Sequence, residues 1–297
     1  MKRTHGILIL LAGLTILTSF NRPSPLNHPP RVSGSPSPSL APLPRITGSP
    51  RKANFTSPLL ITANNQAPIL VAAAADLKFA MDSLIAVFAR TAGSPPVKVV
   101  FGSSGTFFEQ ISNGAPFDLF FSADLDYPRK LQDQHMTIGE VKTYGRGHIV
   151  LWSKKIDPAK AGINTLLDPS LGKIAIANPA HAPYGRRAEE SLRYYKLYDK
   201  IKDRLVIGEN ISQTAEYVRS GAADIGIIAL SLALSPALQQ QGGKYWLIPE
   251  SSHQPLQQGY TLLQHAKDNT GAEKFAAFIG SATAIAILHE FGFDHGN

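Results

Sequence analysis

From residue 69 onward, apolar runs of strand length alternate with segments in which apolar residues recur at helical spacing. Residues 69–74 form a continuous apolar run, as expected of a buried strand. Apolar residues then recur at helical spacing over 77–88, Asp76 stands where a helix N-cap belongs, and Gly93 follows as a stop signal. Such alternation is typical of a parallel sheet with helices packed on it.

The same alternation continues along the rest of the chain. A second strand is predicted over 97–101, and Thr106 with Glu109 forms the capping box of a second helix. A third strand is predicted over 118–122. Later strands are predicted over 148–152, 173–177, 205–207, 224–228, 245–248 and 260–263, and later helices over 185–197, 211–220, 231–240 and 271–291.

The series of strands and helices predicts an α/β protein with two lobes. We expect residues 69–146 to form the first lobe and residues 147–254 the second. The last segment, 255–297, is expected to return to the first lobe and complete it.

The segment before residue 69 has the composition of an export signal followed by a linker. Lys2 and Arg3 precede an apolar run over 6–20, which is the length of a signal-peptide core and short for a membrane span. No small-x-small cleavage site follows, so residues 1–21 are predicted to be either a signal peptide or a retained anchor. Residues 22–68 are rich in proline and serine and predict a disordered linker. The predicted location is periplasmic or otherwise extracytoplasmic, with or without a membrane tether.

The charge distribution and the lack of cysteine exclude several classes of function. The net charge is +7, but seven of the 29 basic residues lie within 1–68, which contains no acidic residue. The other 22 basic residues equal the 22 acidic residues in number, so the globular part is formally neutral and a nucleic-acid partner is not supported. The sequence contains no cysteine, which excludes disulfides, a lipid-modified cysteine, thiolate metal sites and a cysteine nucleophile.

Four short motifs lie where a strand or loop leads into a predicted helix. The first N–H groups of a helix have no partner inside it, and the helix dipole favours negative charge at this end. Helix N-termini at the strand ends of an open α/β sheet therefore form anion sites, although a single such motif is more often an ordinary cap. Four of them converging would bind a dianion with neutral donors only. The motifs are Ala75-Asp76-Leu77, Ser103-Ser104-Gly105, Pro183-Tyr184-Gly185 and Asn210-Ile211-Ser212.

These motifs, with several further segments, resemble the molybdate-binding proteins of ABC importers. The resemblance runs in the same order from about residue 69 to residue 295. The segments are VAAAADL at 71–77, FGSSG at 101–105, NGAPFDLFFSAD at 113–124, LWS at 151–153, ANP at 177–179, APYG at 182–185, GENI at 208–211 and GIIALS at 226–231.

The resemblance implies a type II periplasmic-binding-protein fold, in which an anion binds between two hinged lobes. It implies molybdate or tungstate as the ligand, a membrane permease as the partner, and neither a cofactor nor a catalytic residue. Ser104 matches a serine whose hydroxyl and amide bind the anion from the first lobe. Tyr184 falls in a turn that offers a backbone N–H and, in some members, a phenol. Ile211 matches the position of a backbone N–H donor from the second lobe.

The first motif departs from the family pattern, because Ala75 and Asp76 stand where members often carry a hydroxyl or amide side chain at the anion. A carboxylate facing a dianion in a desolvated cleft would repel it. We therefore expect Asp76 to turn its side chain away as a helix cap and to offer only its N–H. Some members place a tyrosine where this chain has Ala229, and Tyr184 is expected to replace that donor.

Several alternatives stay open from the sequence. A phosphate carrier would place the Asp76 carboxylate in the cleft as an acceptor for a protonated anion, which a donor-only site rejects. A sulfate carrier would differ in cavity size, and a tethered oxyanion sensor would keep the fold without import. A phosphate-ester hydrolase would need a nucleophile, base or metal ligands that the four motifs do not supply. Arg186 and Arg187 either lie on an exposed helix face or balance the charge of the anion. The binding protein is expected to be a monomer without cation ligands.

Overall fold

The computed structural model describes residues 67–295, so the predicted segments 1–21 and nearly all of 22–68 lie outside the described residues. The strands are β1 (Ile69–Ala74), β2 (Val97–Gly102), β3 (Leu119–Ser122), β4 (Thr137–Gly147), β5 (Ile149–Ser153), β6 (Ile174–Ala177), β7 (Leu205–Gly208), β8 (Ile225–Ala229), β9 (Lys244–Leu247) and β10 (Leu256–Leu263). The helices are α1 (Lys78–Phe88), α2 (Ser104–Ser112), α3 (Asp126–Asp133), α4 (Pro183–Tyr194), α5 (Tyr198–Ile201), α6 (Ile211–Ser220), α7 (Leu230–Ala233), α8 (Pro236–Gln239), α9 (Thr270–Ile279) and α10 (Ala282–Glu290).

The strands form two five-stranded sheets, and each sheet with the helices packed on it is one lobe. The first sheet has the order β2-β1-β3-β10-β4, and the second has the order β7-β6-β8-β5-β9. The chain passes from the first sheet to the second between β4 and β5, and it returns between β9 and β10. Two connections between two lobes are what hinge closure around a ligand requires.

The parallel strands predicted from the alternation are present, but each sheet also contains antiparallel pairs. β1 runs parallel to β2 and β3, and β6 runs parallel to β7 and β8, as the alternation of strand and helix requires. β10 is antiparallel to β3 and β4, and β5 is antiparallel to β8 and β9. The antiparallel pairs arise because the chain leaves the first sheet along β4 and comes back along β10 in the opposite direction.

Each lobe has its own apolar core. In the second lobe the buried strands β5, β6 and β8 supply most of it, and Trp152 is almost fully buried there. In the first lobe one core lies between the sheet and helices α1, α9 and α10, and a smaller one lies beneath α2 and α3. Phe107, Phe120 and Phe121 are buried in these cores, as apolar aromatics of this segment are expected to be.

Two predicted helices are each divided in two by local chemistry. The helix predicted over 231–240 breaks at Ser235, whose extended backbone is the conformation favoured before a proline such as Pro236. The helix predicted over 271–291 breaks after Gly280, where Ser281 caps α10 by accepting a hydrogen bond from the Ala284 N–H at 3.2 Å. Within residues 67–295 no single helix is long and apolar enough to cross a membrane, although the bent pair α9 and α10 reaches that length and composition together.

Strand β4 and helix α3 were not predicted. β4 lies at the edge of its sheet with much of one face exposed, so its sequence lacks the continuous apolar run of a buried strand. α3 is short, and its buried side is formed by Tyr127, Pro128 and Leu131. Three apolar positions among charged ones are too few to mark a helix in the sequence.

Candidate functional site

A small cavity of about 10 Å³ lies between the two lobes. The first lobe contributes its lining from the ends of β1 and β2 and from the residue after β3, and the second lobe contributes the starts of α4 and α6. The residues that line it are Ala74, Ala75, Asp76, Gly102, Ser103, Ser104, Ala123, Ala182, Pro183, Tyr184 and Ile211. The structure thus brings together all five residues predicted for the site, which are Ala75, Asp76, Ser104, Tyr184 and Ile211.

The cavity is built from the beginnings of four helical segments. Residues 75–77 form a 3-10 turn directly after β1, and α2 begins at Ser104 after β2. In the second lobe α4 begins at Pro183 after β6, and α6 begins at Ile211 after β7. The four strands that precede them run parallel within their sheets, so the helix starts collect at the same sheet edges. Helix N-termini present backbone N–H groups to a bound anion.

The start of α2 orients the hydroxyl of Ser104 toward a donating role. Ser103 is the N-cap and accepts a hydrogen bond from the Thr106 N–H at 3.3 Å, so the prediction of a capping box at Thr106 and Glu109 is wrong by one helical turn. The Ser104 Oγ accepts a hydrogen bond from the Ala123 N–H at 2.9 Å. Because a hydroxyl that accepts one bond keeps its own proton, Ser104 can donate that proton to a ligand.

The start of α6 is held by an asparagine cap. The Asn210 Oδ1 accepts hydrogen bonds from the N–H groups of Ser212 and Gln213 at 3.0 Å each. The cap does not use the N–H of Ile211, which is the first residue of the helix and lines the cavity. This arrangement leaves the Ile211 amide as a donor for an anion.

Asp76 does not act as a helix cap, which corrects the prediction. It lies inside the 3-10 turn, whose N-cap is Ala74, and the N-cap of α1 is Leu77. Its Oδ2 instead accepts a hydrogen bond from the Tyr184 hydroxyl of the second lobe at 2.9 Å, and its backbone oxygen accepts one from the Ser231 hydroxyl at 2.8 Å. The carboxyl group is therefore a buried part of the cavity wall and of the contact between the lobes.

Burial dominates the ionisation of Asp76. Loss of solvent raises the pKa of its carboxyl group from 3.8 to about 6. Hydrogen bonds from Tyr184 and Gln258, and from the N–H groups of Asp76 and Leu77, lower the pKa but do not offset burial. The Oδ1 atom is buried and has no hydrogen-bond partner. A buried carboxyl oxygen without a partner is uncommon in folded proteins, and here it lies in the wall of the cavity.

Tyr184 uses its phenol within the protein. The hydroxyl donates to Asp76 and accepts a hydrogen bond from the Gln258 Nε2 at 2.9 Å, while the Gln258 Oε1 accepts one from the Tyr144 hydroxyl. Burial, followed by the charge of Asp76, holds the pKa of Tyr184 well above its usual value, so the phenol keeps its proton. That proton bonds Asp76, which differs from the expectation that the phenol replaces a donor missing at Ala229. Ala229 itself is fully buried at the end of β8.

The two lobes touch each other beside the cavity. The Gly105 N–H donates to the His181 backbone oxygen at 2.9 Å, and the Ser103 Oγ lies 2.8 Å from the His181 Nδ1. Farther out, the Arg186 guanidinium pairs with the Asp124 carboxylate at 2.5 Å. These contacts join the first lobe to the start of α4, so the structure represents a closed arrangement of the lobes.

The two arginines after Tyr184, Arg186 and Arg187, match neither of the two predicted roles, which were an exposed helix face and balance of the anion's charge. Neither lines the cavity, and neither lies on an exposed helix face. Arg186 binds Asp124 across the cleft and stands 5.2 Å from the centre of the Tyr127 ring. Arg187 pairs with Glu190 on its own helix at 2.7 Å. The sequence carried no signal for the Arg186 contact, because its partner lies 62 residues away in the other lobe.

A second cluster of polar groups surrounds the connections between the lobes. The His148 Nδ1 lies 3.0 Å from the Glu250 carboxylate, and its Nε2 lies 2.9 Å from the Asp294 carboxylate. The Arg146 guanidinium lies 3.0 Å from the same Asp294 and 3.6 Å from Glu250. The side chains of His148, Glu250 and Asp294 are close enough to hold a metal ion. The Arg146 guanidinium already pairs with both carboxylates, and the two carboxylates face opposite ring nitrogens of His148. The cluster is an ion-pair network at the hinge.

Comparison with known proteins agrees with this geometry. The family model of the bacterial extracellular solute-binding proteins matches residues 69–294. The molybdate-binding protein ModA of Rhodobacter capsulatus is 32% identical over 227 residues, which are 76% of this chain and 87% of that protein. The ModA of Azotobacter vinelandii is 32% identical over 236 residues, which are 79% of this chain and 93% of that protein.

The fold leads to the same family. The solved structure of the Azotobacter vinelandii periplasmic molybdate-binding protein superposes with a TM-score of 0.73 at 31% identity, covering 77% of this chain and 100% of that one. The two sheets, the double connection and the cavity between the lobes are those of a type II periplasmic-binding-protein fold. The chain therefore belongs to the bacterial extracellular solute-binding proteins and, within them, to the periplasmic molybdate-binding proteins of ABC importers.

Proposed function

We propose that this protein captures molybdate or tungstate outside the cytoplasm and delivers it to the membrane permease of an ABC importer. The anion would sit between the lobes at this cavity, which must widen from about 10 Å³ to admit it, with Ser104 and the start of α6 donating hydrogen bonds from opposite sides. Closure of the lobes on the anion would create the surface that the permease recognises. The protein is proposed to act as a monomer and without a cofactor.

The observation that carries this proposal is a cavity between the lobes that is lined by helix starts of both lobes and by no cationic side chain. Neutral donors with fixed positions stabilise an oxyanion without the ion pairs that would also hold other anions. Small residues such as Ala75 and Ala123 let the backbone approach the ligand closely. The similarity of the chain to molybdate-binding proteins along 69–294 supports molybdate as the anion.

A hydrolytic function is less consistent with the same site. The pair Ser103 and His181 is the closest approach to a nucleophile and base, at 2.8 Å. However, the Ser103 hydroxyl is occupied as the cap of α2 and lies 2.7 Å from the Thr106 Oγ1. Of the other lining hydroxyls, Ser104 accepts a hydrogen bond from the Ala123 N–H. Tyr184 donates to the Asp76 carboxylate, but burial holds the pKa of the phenol well above its usual value, so it keeps its proton and is a poor nucleophile.

One observation favours a second candidate, hydrogen phosphate. The Asp76 carboxylate lines the cavity as an acceptor, and an acceptor inside an anion site pairs with the proton of a protonated ligand. A carrier for hydrogen phosphate would use this pairing, whereas the fully deprotonated molybdate ion has no proton to offer.

The test is a calorimetric and thermal-shift titration of the purified protein with molybdate, tungstate, sulfate and phosphate. We expect saturable binding and a rise in melting temperature with molybdate and tungstate, and no response to sulfate. Ser104→Ala should weaken molybdate binding by about 10- to 100-fold, because it removes a hydrogen bond to a charged ligand. Ser220→Ala, at an exposed position of α6, is the matched control and should bind as the wild type does. Binding of phosphate alone would establish the second candidate, and no response to any anion would refute both.

A further inference from the structure

Of the eleven residues that line the cavity, Asp76 is the one with a formally charged side chain. It is almost completely buried, and its two carboxyl oxygens differ. Oδ2 accepts a hydrogen bond from the Tyr184 hydroxyl, whereas Oδ1 is buried without a partner. A proton on Oδ1 would leave the bond to Tyr184 unchanged and would turn an unpaired acceptor into a donor.

We infer that Asp76 takes up a proton when a dianion enters the cavity, and that the neutral carboxyl group then donates a hydrogen bond to the anion. This inference rests on the proposed function, since it concerns how the same site holds its ligand. The proton comes from the solvent, and the carboxylate becomes a carboxylic acid. The site would then offer only donors to the anion, although it contains an acidic residue.

The surroundings of Asp76 favour this proton. The groups that face its side chain are the Tyr184 hydroxyl of α4 and the Gln258 amide of β10, with the Tyr144 hydroxyl of β4 next in the chain of hydrogen bonds. None of these groups is cationic, so no protein charge compensates a carboxylate and a dianion together. The Arg186 guanidinium of α4 is bound to Asp124 outside the cavity. Repulsion between the two anionic charges in a closed cavity therefore favours protonation of the weaker acid.

The cost of this proton is small at neutral pH. Burial already raises the pKa of Asp76 to about 6 in the empty site, so protonation at pH 7 lowers affinity by only about tenfold. A dianion beside the carboxyl group raises its pKa further. Burial also holds the pKa of Tyr184 well above its usual value, so the phenol does not supply the proton. Asp76 is the titratable lining group suited to take up the proton.

A definite pH dependence follows. Above about pH 6 the empty site is ionised and the occupied site is protonated, so each further pH unit should lower the affinity by up to tenfold. Below that pH the empty site already carries the proton, and the affinity should level off. Hydrogen phosphate brings its own proton and would need none from the solvent. The proton count therefore separates the two classes of anion.

The experiment is isothermal titration of the full-length protein with molybdate between pH 6.5 and 8, in buffers with different ionisation enthalpies. The dependence of the observed heat on the buffer gives the number of protons taken up. We expect uptake of about one proton for each anion at pH 8 and of a smaller number at pH 6.5. The Kd for molybdate should rise as the pH increases from 6.5 to 8. Asp76→Asn keeps the shape and a donor and should bind molybdate with no proton uptake. Asp82→Asn, on the exposed side of α1, is the matched control and should keep the wild-type proton count.

The possible failures are distinguishable. Tight binding of molybdate by the wild type with no proton uptake at any pH would overturn the inference and leave the proposed function intact. Absence of molybdate binding at every pH would overturn both. If Asp76→Asn does not fold, the absence of proton uptake by the wild type still overturns the inference.

Discussion

Gly105 is the point at which a single added methyl group should oppose closure of the lobes. It lies in the first turn of α2, and its N–H bonds the His181 backbone oxygen across the cleft. A Cβ at this position would lie 2.7 Å from that oxygen, 2.8 Å from the His181 Cβ and 2.6 Å from the Tyr127 hydroxyl. Ordinary contacts of a carbon atom are about 3.5–4.0 Å, so Gly105→Ala is sterically incompatible with the closed arrangement as it stands.

The size of the effect follows from which atoms can move. The Tyr127 hydroxyl is the end of a side chain in the same lobe and can rotate away, but the His181 backbone belongs to the other lobe. Relief of that overlap requires the lobes to separate, at a cost typical of overpacking, about 1–3 kcal/mol. This cost converts to a loss of anion affinity of about 5- to 150-fold. In the open protein the overlap with His181 is absent and Tyr127 can rotate away, and alanine in a helix is more stable than glycine by about 0.5–1 kcal/mol.

The assay compares molybdate affinity by calorimetry with the melting temperature of the ligand-free protein. Gly105→Ala should lower the affinity and leave the melting temperature unchanged or slightly higher. Gly280→Ala is the matched control, because its added Cβ would make an ordinary 3.5 Å contact with the Ala277 oxygen. If Gly105→Ala binds molybdate as tightly as the wild type, the lobes do not meet at His181 in the occupied state, and the closed geometry described above is wrong.

Three further substitutions test other parts of the structure. Arg186→Gln removes the partly exposed ion pair across the cleft and should weaken anion binding by about fivefold, with a smaller effect at high salt. If the variant and the wild type bind the anion equally well at low salt, the ion pair has no role in closure. Asp76→Asn should stabilise the ligand-free protein by up to about 3 kcal/mol above pH 6, and by progressively less as the pH falls toward 3.8. The reason is that the pKa of Asp76 is raised in the folded protein, so the buried carboxylate is destabilising only when it is ionised. Denaturation curves that show no such pH trend would refute the buried charge. Gly185→Ala places a Cβ against the backbone of Ala177 and should lower the free energy of unfolding by about 1–3 kcal/mol, whereas Gly105→Ala should not lower it. An unchanged unfolding curve would show that α4 does not pack so closely on β6.

Much of the framework could be predicted because its signals are local. The apolar run at 69–74 predicts β1, and the helical spacing over 211–220 predicts α6, both at the observed residues. Ser104 and Ile211 come together because parallel strands of one sheet end at the same edge, and helix starts follow those ends. The order of strands and helices in the sequence therefore predicts the approximate position of an anion site.

The chemistry inside the cavity could not be predicted in the same way. The partner of Asp76 is Tyr184, 108 residues away in the other lobe, and a bond of this kind depends on how far the lobes close. Gln258 joins the same network from β10, a strand that returns from the second lobe. The sequence contains a carboxylate before a helix, and local rules interpret such a residue as a cap. Only the three-dimensional contacts reveal it as part of the cavity wall.

The most direct test of anion capture is a crystal structure of the protein grown with tungstate, with anomalous diffraction used to locate the metal atom. We expect one strong anomalous peak in the cavity between the lobes, with tungstate oxygens within hydrogen-bond distance of the Ser104 hydroxyl and the Ile211 N–H. An anomalous peak elsewhere on the protein, or an occupied crystal with no peak between the lobes, would contradict the proposal that this cavity is the anion site.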